Sequence, residues 1–395
     1  MKRPADVVVV GGGYAGVMAA NRLTQRAGVR VALVNARATF VERIRLHQLV
    51  GGSHPAVVDY PTVLAEGVRL VVGTATRIDV VRRRVDLADG SALDYDHLVY
   101  AAGSGSADLL VPGAVEHAYP VASLEEAQRL RSVLDADPDA PVTVVGAGPS
   151  GLEVAAELAE TGRRVTLVSG GVVGPYLHPR GRAAALHRLA ALGVTVVAGS
   201  GSTVTRVTGE TVALADGREV ASGVTIWTAG FGVPDLARRS GLSTDAVGRL
   251  LTDETLTSVD DDRVVAAGDA AAPSGLAFRM SCQAAGPLGA HAADTVLHRL
   301  AGEAPTDVRI AFGGQCVSLG RREGVVQMAR RDDSVRRTYL GGRTGARLKE
   351  LVCWGTIRSL AWEAQRPGTY FLPRWAADPT RATRVAARQA ELLVR

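Results

Sequence analysis

Two glycine clusters of identical spacing carry the first readable chemistry in this chain, Gly11-x-Gly13-x-x-Gly16 and Gly146-x-Gly148-x-x-Gly151. The first glycine of such a cluster permits a tight turn and the second lets backbone approach a pyrophosphate. The third allows a helix to pack closely on a strand. The N-terminus of the following helix then offers N–H groups and a positive dipole end to phosphate oxygens. Tyr14 and Ala15 fill the first cluster, Pro149 and Ser150 the second. An acid that hydrogen-bonds a ribose commonly lies about 20 residues on; here the positions hold Asn35 and Ser169. Asn35 can still bond ribose hydroxyls. Ser169 lacks the charge that favours NADH and repels a 2′-phosphate, and Arg180 and Arg182 follow it either as phosphate ligands or as solvated surface groups.

The elements around these clusters repeat. VVVVGGGYAGVMAANRLTQRAGVRVALVN from Val7 matches VTVVGAGPSGLEVAAELAETGRRVTLVS from Val142 as strand, turn, helix and strand. Continuous apolar runs indicate strands buried on both faces of a parallel sheet, and strand–helix–strand is the βαβ unit. Each copy has a closing strand, Tyr95 to Ala102-Gly103 and Val224 to Ala229-Gly230. A third element runs from Thr257 to Gly268-Asp269. The expected fold is α/β, two Rossmann-like dinucleotide-binding domains with a smaller α+β C-terminal segment. The expected bounds are 1–111 and 241–306 for the first domain, 112–240 for a second inserted into it, and 307–395 for the C-terminal segment.

Composition narrows the function. Of 45 basic residues only Lys2 and Lys349 are lysines, and 40 acids offset them to a net +5, too small an excess to suggest a nucleic-acid binder. Aromatics are scarce at 4%. Cys282, Cys316 and Cys353 form no CxxC, so a dithiol centre and a zinc site both lack ligands, and no metal is expected. No apolar stretch is long enough to span a membrane, and a sparse, odd cysteine count fits a reducing cytoplasm. Trp354, Trp362 and Trp375 concentrate near the end, where Asp378-Pro379 reads as the start of a helix to Val394. That helix sets Arg381, Arg384 and Arg388 against Val385, Leu392 and Leu393, with Ala382, Ala386 and Ala390 between. So weak an apolar face suits docking on protein, over the acceptor side or a dimer interface, better than burial in lipid.

Together, the two dinucleotide folds, the Ala-Gly closing strands and the Gly268-Asp269 element resemble the two-dinucleotide-binding-domain flavoproteins. That family includes glutathione reductase, ferredoxin reductases and the type II NADH dehydrogenases. The resemblance covers about residues 5–300. It implies FAD in the first fold, NADH or NADPH in the second, and the Asp269 carboxylate on the ribityl chain of FAD. It further implies FAD contacts at Arg43, Thr76, Ala102, Gly103 and Gly268, and nicotinamide-nucleotide contacts at Ala229 and Gly230. Disulfide reductases of the family carry CxxxxC after the first Rossmann segment, and some relatives a single cysteine; Phe40–Leu49 here contains neither. Ile226–Gly230, Glu153 and Leu319–Val325 look most like the type II NADH dehydrogenase branch, which reduces quinones without thiols.

The resemblance therefore implies an FAD-dependent NAD(P)H dehydrogenase with a quinone-like acceptor, a possible homodimer, cytoplasmic or at most membrane-peripheral. Alternatives are a reductase for a ferredoxin or rubredoxin carrier, a biosynthetic oxidoreductase and a redox-sensing flavoprotein. Glu153 is expected to help place the nicotinamide or else to cap its own helical turn. His47 is expected either to protonate the reduced acceptor or to be a buried structural histidine, and Arg43 and Arg45 to lie by the FAD phosphates or the acceptor pocket. Met280–Pro287 should open a helix whose N–H groups, at Gln283 and Ala284, face the flavin pyrimidine edge, with Pro287 in the first turn. Cys282 should lie close to the flavin as a packing residue. No lysine is expected there, so the Lys–Glu pair that some relatives place by flavin N5 should be missing.

Overall fold

Each glycine cluster lies where the central strand of a five-stranded parallel sheet turns into a helix. The computed structural model describes residues 3–371 and 377–393, so Lys2, Trp375, Val394 and the Leu392 and Leu393 side chains fall outside them. In the first sheet Ala5–Val10 pairs with Val29–Asn35 on one side and His97–Tyr100 on the other. Val68–Val72 and Val264–Ala266 form its edges. In the second, Val142–Val145 lies between Val165–Val168 and Val224–Trp227, with Thr195–Val197 and Ala118–Pro120 outside. Val7 to Val10 and Val142 to Val145 are buried throughout, as expected of strands covered on both faces.

The repeat extends beyond the motif. Each sheet is followed by a three-stranded antiparallel sheet inserted before its closing strand, Ala75–Asp79 to Ala92–Asp94 in one case and Val204–Val207 to Glu219–Ala221 in the other. The first sheet gains its last strand, Val264–Ala266, only after the chain has run through the second.

The helix Cys282–Ala301 is capped by Ser281, whose Oγ accepts from Ala284 N at 3.3 Å, and ends at Gly302 in the left-handed region. It packs so closely on Tyr14–Leu23 that a Cβ on Gly289 would stand 2.2 Å from the Ala15 carbonyl oxygen. Pro287 lies in its second turn rather than the first, because the Ser281 cap starts the helix at Cys282.

Three antiparallel strands, Gly314–Ser318, Gly324–Ala329 and Val335–Leu340, open the C-terminal segment, and the helix Gly342–Gln365 follows. Val317, Leu319 and Val325 enter the core of the second sheet, while Val308, Ile310, Phe312 and Leu360 enter that of the first. Trp354 and Trp362 are exposed. The last helix begins at Arg381, two residues later than Pro379, although the Asp378 carboxylate does accept from Thr380 N at 2.8 Å. Arg381 pairs with both oxygens of Glu254 at 3.0 Å, stacks 4.0 Å over Phe278, and Val385 is buried beside it.

Candidate active site

The glycine loops show how they are shaped to receive a ligand. A Cβ on Gly11 would meet the Ala101 carbonyl oxygen at 2.2 Å, and one on Gly16 would meet that of Gly11 at 1.8 Å. Gly146 would strike Ala229 N at 2.8 Å and Gly151 the Gly146 carbonyl oxygen at 1.8 Å. Gly13 and Gly148, the positions where backbone must approach a pyrophosphate, face open space, as does Gly103. Both cradles therefore fit a dinucleotide, with two glycines fixing each turn and one leaving it open.

Asn35 is committed to shaping its loop. Its Oδ1 accepts from Gly12 N at 3.0 Å and its Nδ2 donates to the Arg37 carbonyl at 2.8 Å. Tyr60, which sequence reasoning did not single out, donates its hydroxyl to the Gly12 carbonyl at 2.9 Å. Ser169, just past the strand Val165–Val168, closes a local turn with Gly171. Arg180 is exposed and Arg182 donates to the Leu177 carbonyl at 3.2 Å. Thr76 bonds to the Asp86 carbonyl within the antiparallel sheet and does not line the central cavity.

That cavity, about 970 Å³, brings together Tyr14, Arg43, Pro149, Ser150, Ala229 and Gly230 from the predicted set. Asp269 stands in its wall. Its Oδ1 accepts from Ser281 N at 3.1 Å and its Oδ2 from Ser104 Oγ at 2.6 Å. Arg43 donates to the same Ser104 hydroxyl at 2.9 Å and lies 4.0 Å from Asp269. Ser104 was legible only as the residue after the Ala-Gly closing strand. Arg45 is instead buried against Glu42 at 3.2 Å and Glu350 at 2.9 Å and does not line the cavity. Gln283, with its amide oriented to satisfy both ends, donates to the Gly314 carbonyl and accepts from Gly313 N, each at 3.1 Å. The Ala284 N–H is taken by Ser281.

The expectation that no lysine stands here is overturned. Lys349, from the long C-terminal helix, lines the cavity and places its Nζ 2.9 Å from Glu153 Oε1. Glu153 does not cap its own turn. It also accepts from Ser318 N at 3.1 Å and faces His47 Nδ1 at 3.5 Å. His47 Nε2 lies 3.0 Å from Ser318 Oγ, so the tautomer protonated at Nδ1 serves both neighbours. All three groups are buried. Burial drives His47 down to about 4 against the pull of Glu153, and Lys349, Arg321 and Arg45 add to the fall. Burial would raise Glu153, but Lys349 and then His47 hold it below the usual carboxylate range. Burial would lower Lys349, and Glu153 instead holds it raised. At neutral pH the ensemble is a carboxylate, an ammonium and a neutral imidazole.

Cys282 and Cys316 also line the cavity while Cys353 is buried outside it, and all three are free thiols. Burial raises the pKa of each, to about 11 for Cys353.

Comparison with known proteins agrees with this geometry. The family model described as pyridine nucleotide-disulphide oxidoreductase matches residues 5–293. An NADH dehydrogenase-like protein of Mycobacterium tuberculosis is 29% identical over 345 residues, 80% of this chain and 85% of that protein. A type II NADH:quinone oxidoreductase of Staphylococcus haemolyticus is 26% identical over 387 residues, 88% and 93% of the two chains. Among solved structures, NDH2 of Plasmodium falciparum superposes with a TM-score of 0.76 at 14% identity, covering 94% of this chain and 100% of that one. Sulfide:quinone oxidoreductase of Aquifex aeolicus gives 0.75 at 18%, covering 92% and 93%. With two open dinucleotide cradles meeting at one cavity, this chain belongs to the pyridine nucleotide-disulphide oxidoreductase family, most like its type II NADH dehydrogenase branch, and is an FAD-dependent NAD(P)H oxidoreductase.

Proposed function

We propose that the enzyme passes electrons from NAD(P)H through FAD to a quinone or quinone-like small acceptor, with no redox disulfide. The observation that carries this reading is the buried Lys349–Glu153–His47 ensemble in the wall of the cavity. Bound FAD supplies the two-electron relay between nucleotide and acceptor. Gly11, Gly13 and Gly16 would hold its pyrophosphate and Asp269 its ribityl hydroxyls, and Arg43 would neutralise charge beside them. The N-terminal dipole of Cys282–Ala301 would favour negative charge on a ring bound beside it. Gly146, Gly148 and Gly151 hold the nucleotide pyrophosphate, and Glu153 orders the wall near the nicotinamide. A quinone oxygen that gains charge on reduction would meet the Lys349 ammonium, and the neutral His47, held between Glu153 and Ser318, would exchange a proton through them.

The thiols support the same assignment. A relay cysteine must be a thiolate, and Cys282 and Cys316 are held protonated by burial. The first unit, residues 1–111 with 241–306, is the FAD-binding domain on this reading, 112–240 the NAD(P)H-binding domain, and 307–395 the segment that closes the acceptor side. Among the described residues no helix is long and apolar enough to cross a membrane. The proposed location is the cytoplasm, with at most peripheral membrane contact. The protein as isolated should be yellow and oxidise NADH or NADPH with water-soluble quinones, with no ferredoxin- or rubredoxin-type carrier required. A strict carrier requirement would overturn the acceptor.

A further inference from the structure

Glu157 is buried at 2% exposure, although nothing in the site described above uses it. It lies one turn beyond Glu153 on the helix Pro149–Glu160, on the same face. The opposing helix Leu46–Gly51 sets His47 against Glu153 and Gly51 against Glu157. A Cβ on Gly51 would stand 2.3 Å from Glu157 Cγ, so the glutamate is seated in the notch that glycine leaves. One of its oxygens accepts from Ser53 Oγ, and Ser53 is exposed. The other oxygen, Oε2, is buried without a hydrogen-bond partner, with the Arg321 guanidinium 4.0 Å away.

We propose that Glu157 relays protons from solvent at Ser53 to the Glu153–His47 pair that serves the acceptor. This rests on the quinone reading above. In that reaction NAD(P)H + H⁺ + quinone gives NAD(P)⁺ + quinol. The hydride carries both electrons and one hydrogen nucleus, so one proton per turnover must come from water. The ensemble that would deliver it is buried, and Glu157 is the ionisable group between that ensemble and an exposed hydroxyl.

The charges around Glu157 suit a carrier. Glu160 and Glu153 act on it from its own helix, and Arg321 from the loop after Gly314–Ser318. Arg321 is shared with Glu350 of the long helix at 2.6 Å, and Glu350 in turn with Arg45 at 2.9 Å. Lys349 is engaged by Glu153, Arg188 by Glu160 at 3.0 Å, and Arg131 bonds to the Val50 carbonyl. Burial raises the Glu157 pKa against the opposing pull of Ser53 and Arg321, with repulsion from Glu160 and Glu153 adding to the rise.

The test uses the FAD-loaded enzyme and the variants Glu157→Gln and Ser53→Ala. Reduction by NADH, which needs no proton, should keep its wild-type rate in both. Reoxidation by a water-soluble quinone should slow at least about tenfold in Glu157→Gln, below the hundredfold or more of a directly positioned acid, with a larger solvent isotope effect. Ser53→Ala should show the same change to a smaller degree. Independently of activity, Glu157→Gln should gain thermal stability over wild type as pH rises. A raised carboxyl pKa means the native state binds the proton more tightly, so wild type loses stability as that proton leaves. Reoxidation and isotope effect unchanged in Glu157→Gln would overturn the relay while leaving the acceptor reading intact. A wild type that no quinone oxidises would overturn both. Should Glu157→Gln fail to retain FAD, Ser53→Ala decides alone, and a wild-type rate and pH profile there would overturn the relay.

Discussion

Lys349 and Glu153 each keep about a tenth of the side chain exposed, so neither charge can turn to water if the other is removed. Breaking a buried pair from one side typically costs about 3–5 kcal/mol. Lys349→Met should therefore lose stability of that order in denaturant titrations at neutral pH, and adding Glu153→Gln should restore most of it. A loss under about 1 kcal/mol, the range of an exposed pair, would show that the pair is not desolvated. His47 adds a pH dependence. Its native value of about 4 lies below the ordinary 6.5, so the unfolded chain binds the extra proton first. Stability should fall as pH drops from about 6.5 towards 4, and His47→Asn should flatten that slope. On the proposed reading Asp269 holds the ribityl chain of FAD. Losing a charge-assisted hydrogen bond costs about 1.5–3 kcal/mol, so Asp269→Ala should be purified largely colourless. Full flavin content in that variant would remove Asp269 from the site.

At the scale of elements, what was legible followed from how local the constraint is. A glycine forced by a carbonyl oxygen at 1.8 Å is dictated by its own turn, so both loops and their flanking strands could be read from spacing alone. Asp269 was legible because it closely follows a strand of the same sheet, Val264–Ala266, within the Gly268-Asp269 pair. Lys349 was not, since the helix that carries it has no motif and reaches the cavity only through tertiary packing. Tyr60 acts through a contact to a loop carbonyl and Ser104 through contacts to Asp269 and Arg43, and isolated contacts leave no periodic trace. The proline of Cys282–Ala301 misled for a related reason, because the Ser281 cap fixed the helix start ahead of the preference of Pro287. Ser169 sits at an element end where its consequence can be measured. With no acid to repel a 2′-phosphate, Ser169→Glu should shift the ratio of kcat/KM values towards NADH. An unchanged ratio would place the ribose contact elsewhere.

At the scale of the molecule, the C-terminal segment joins the two dinucleotide units. Its strands pack in the core of the second sheet, Leu360 in that of the first, and Lys349 faces the cavity that both units share. On the proposed reading Gly342–Gln365 closes the acceptor side, whereas the final helix, expected over that side or at a dimer interface, is tied to Glu254 and Phe278. The proposed function needs no thiol between nucleotide and acceptor, a claim that rapid mixing tests most directly. Wild type and a variant with Cys282, Cys316 and Cys353 all replaced by Ser would be reduced anaerobically with one equivalent of NAD(P)H, then mixed with a water-soluble quinone while flavin absorbance is followed. The account predicts reduction and reoxidation in both proteins at rates that agree within a few-fold. Normal reduction with reoxidation abolished in the cysteine-free protein would contradict it and establish a thiol relay.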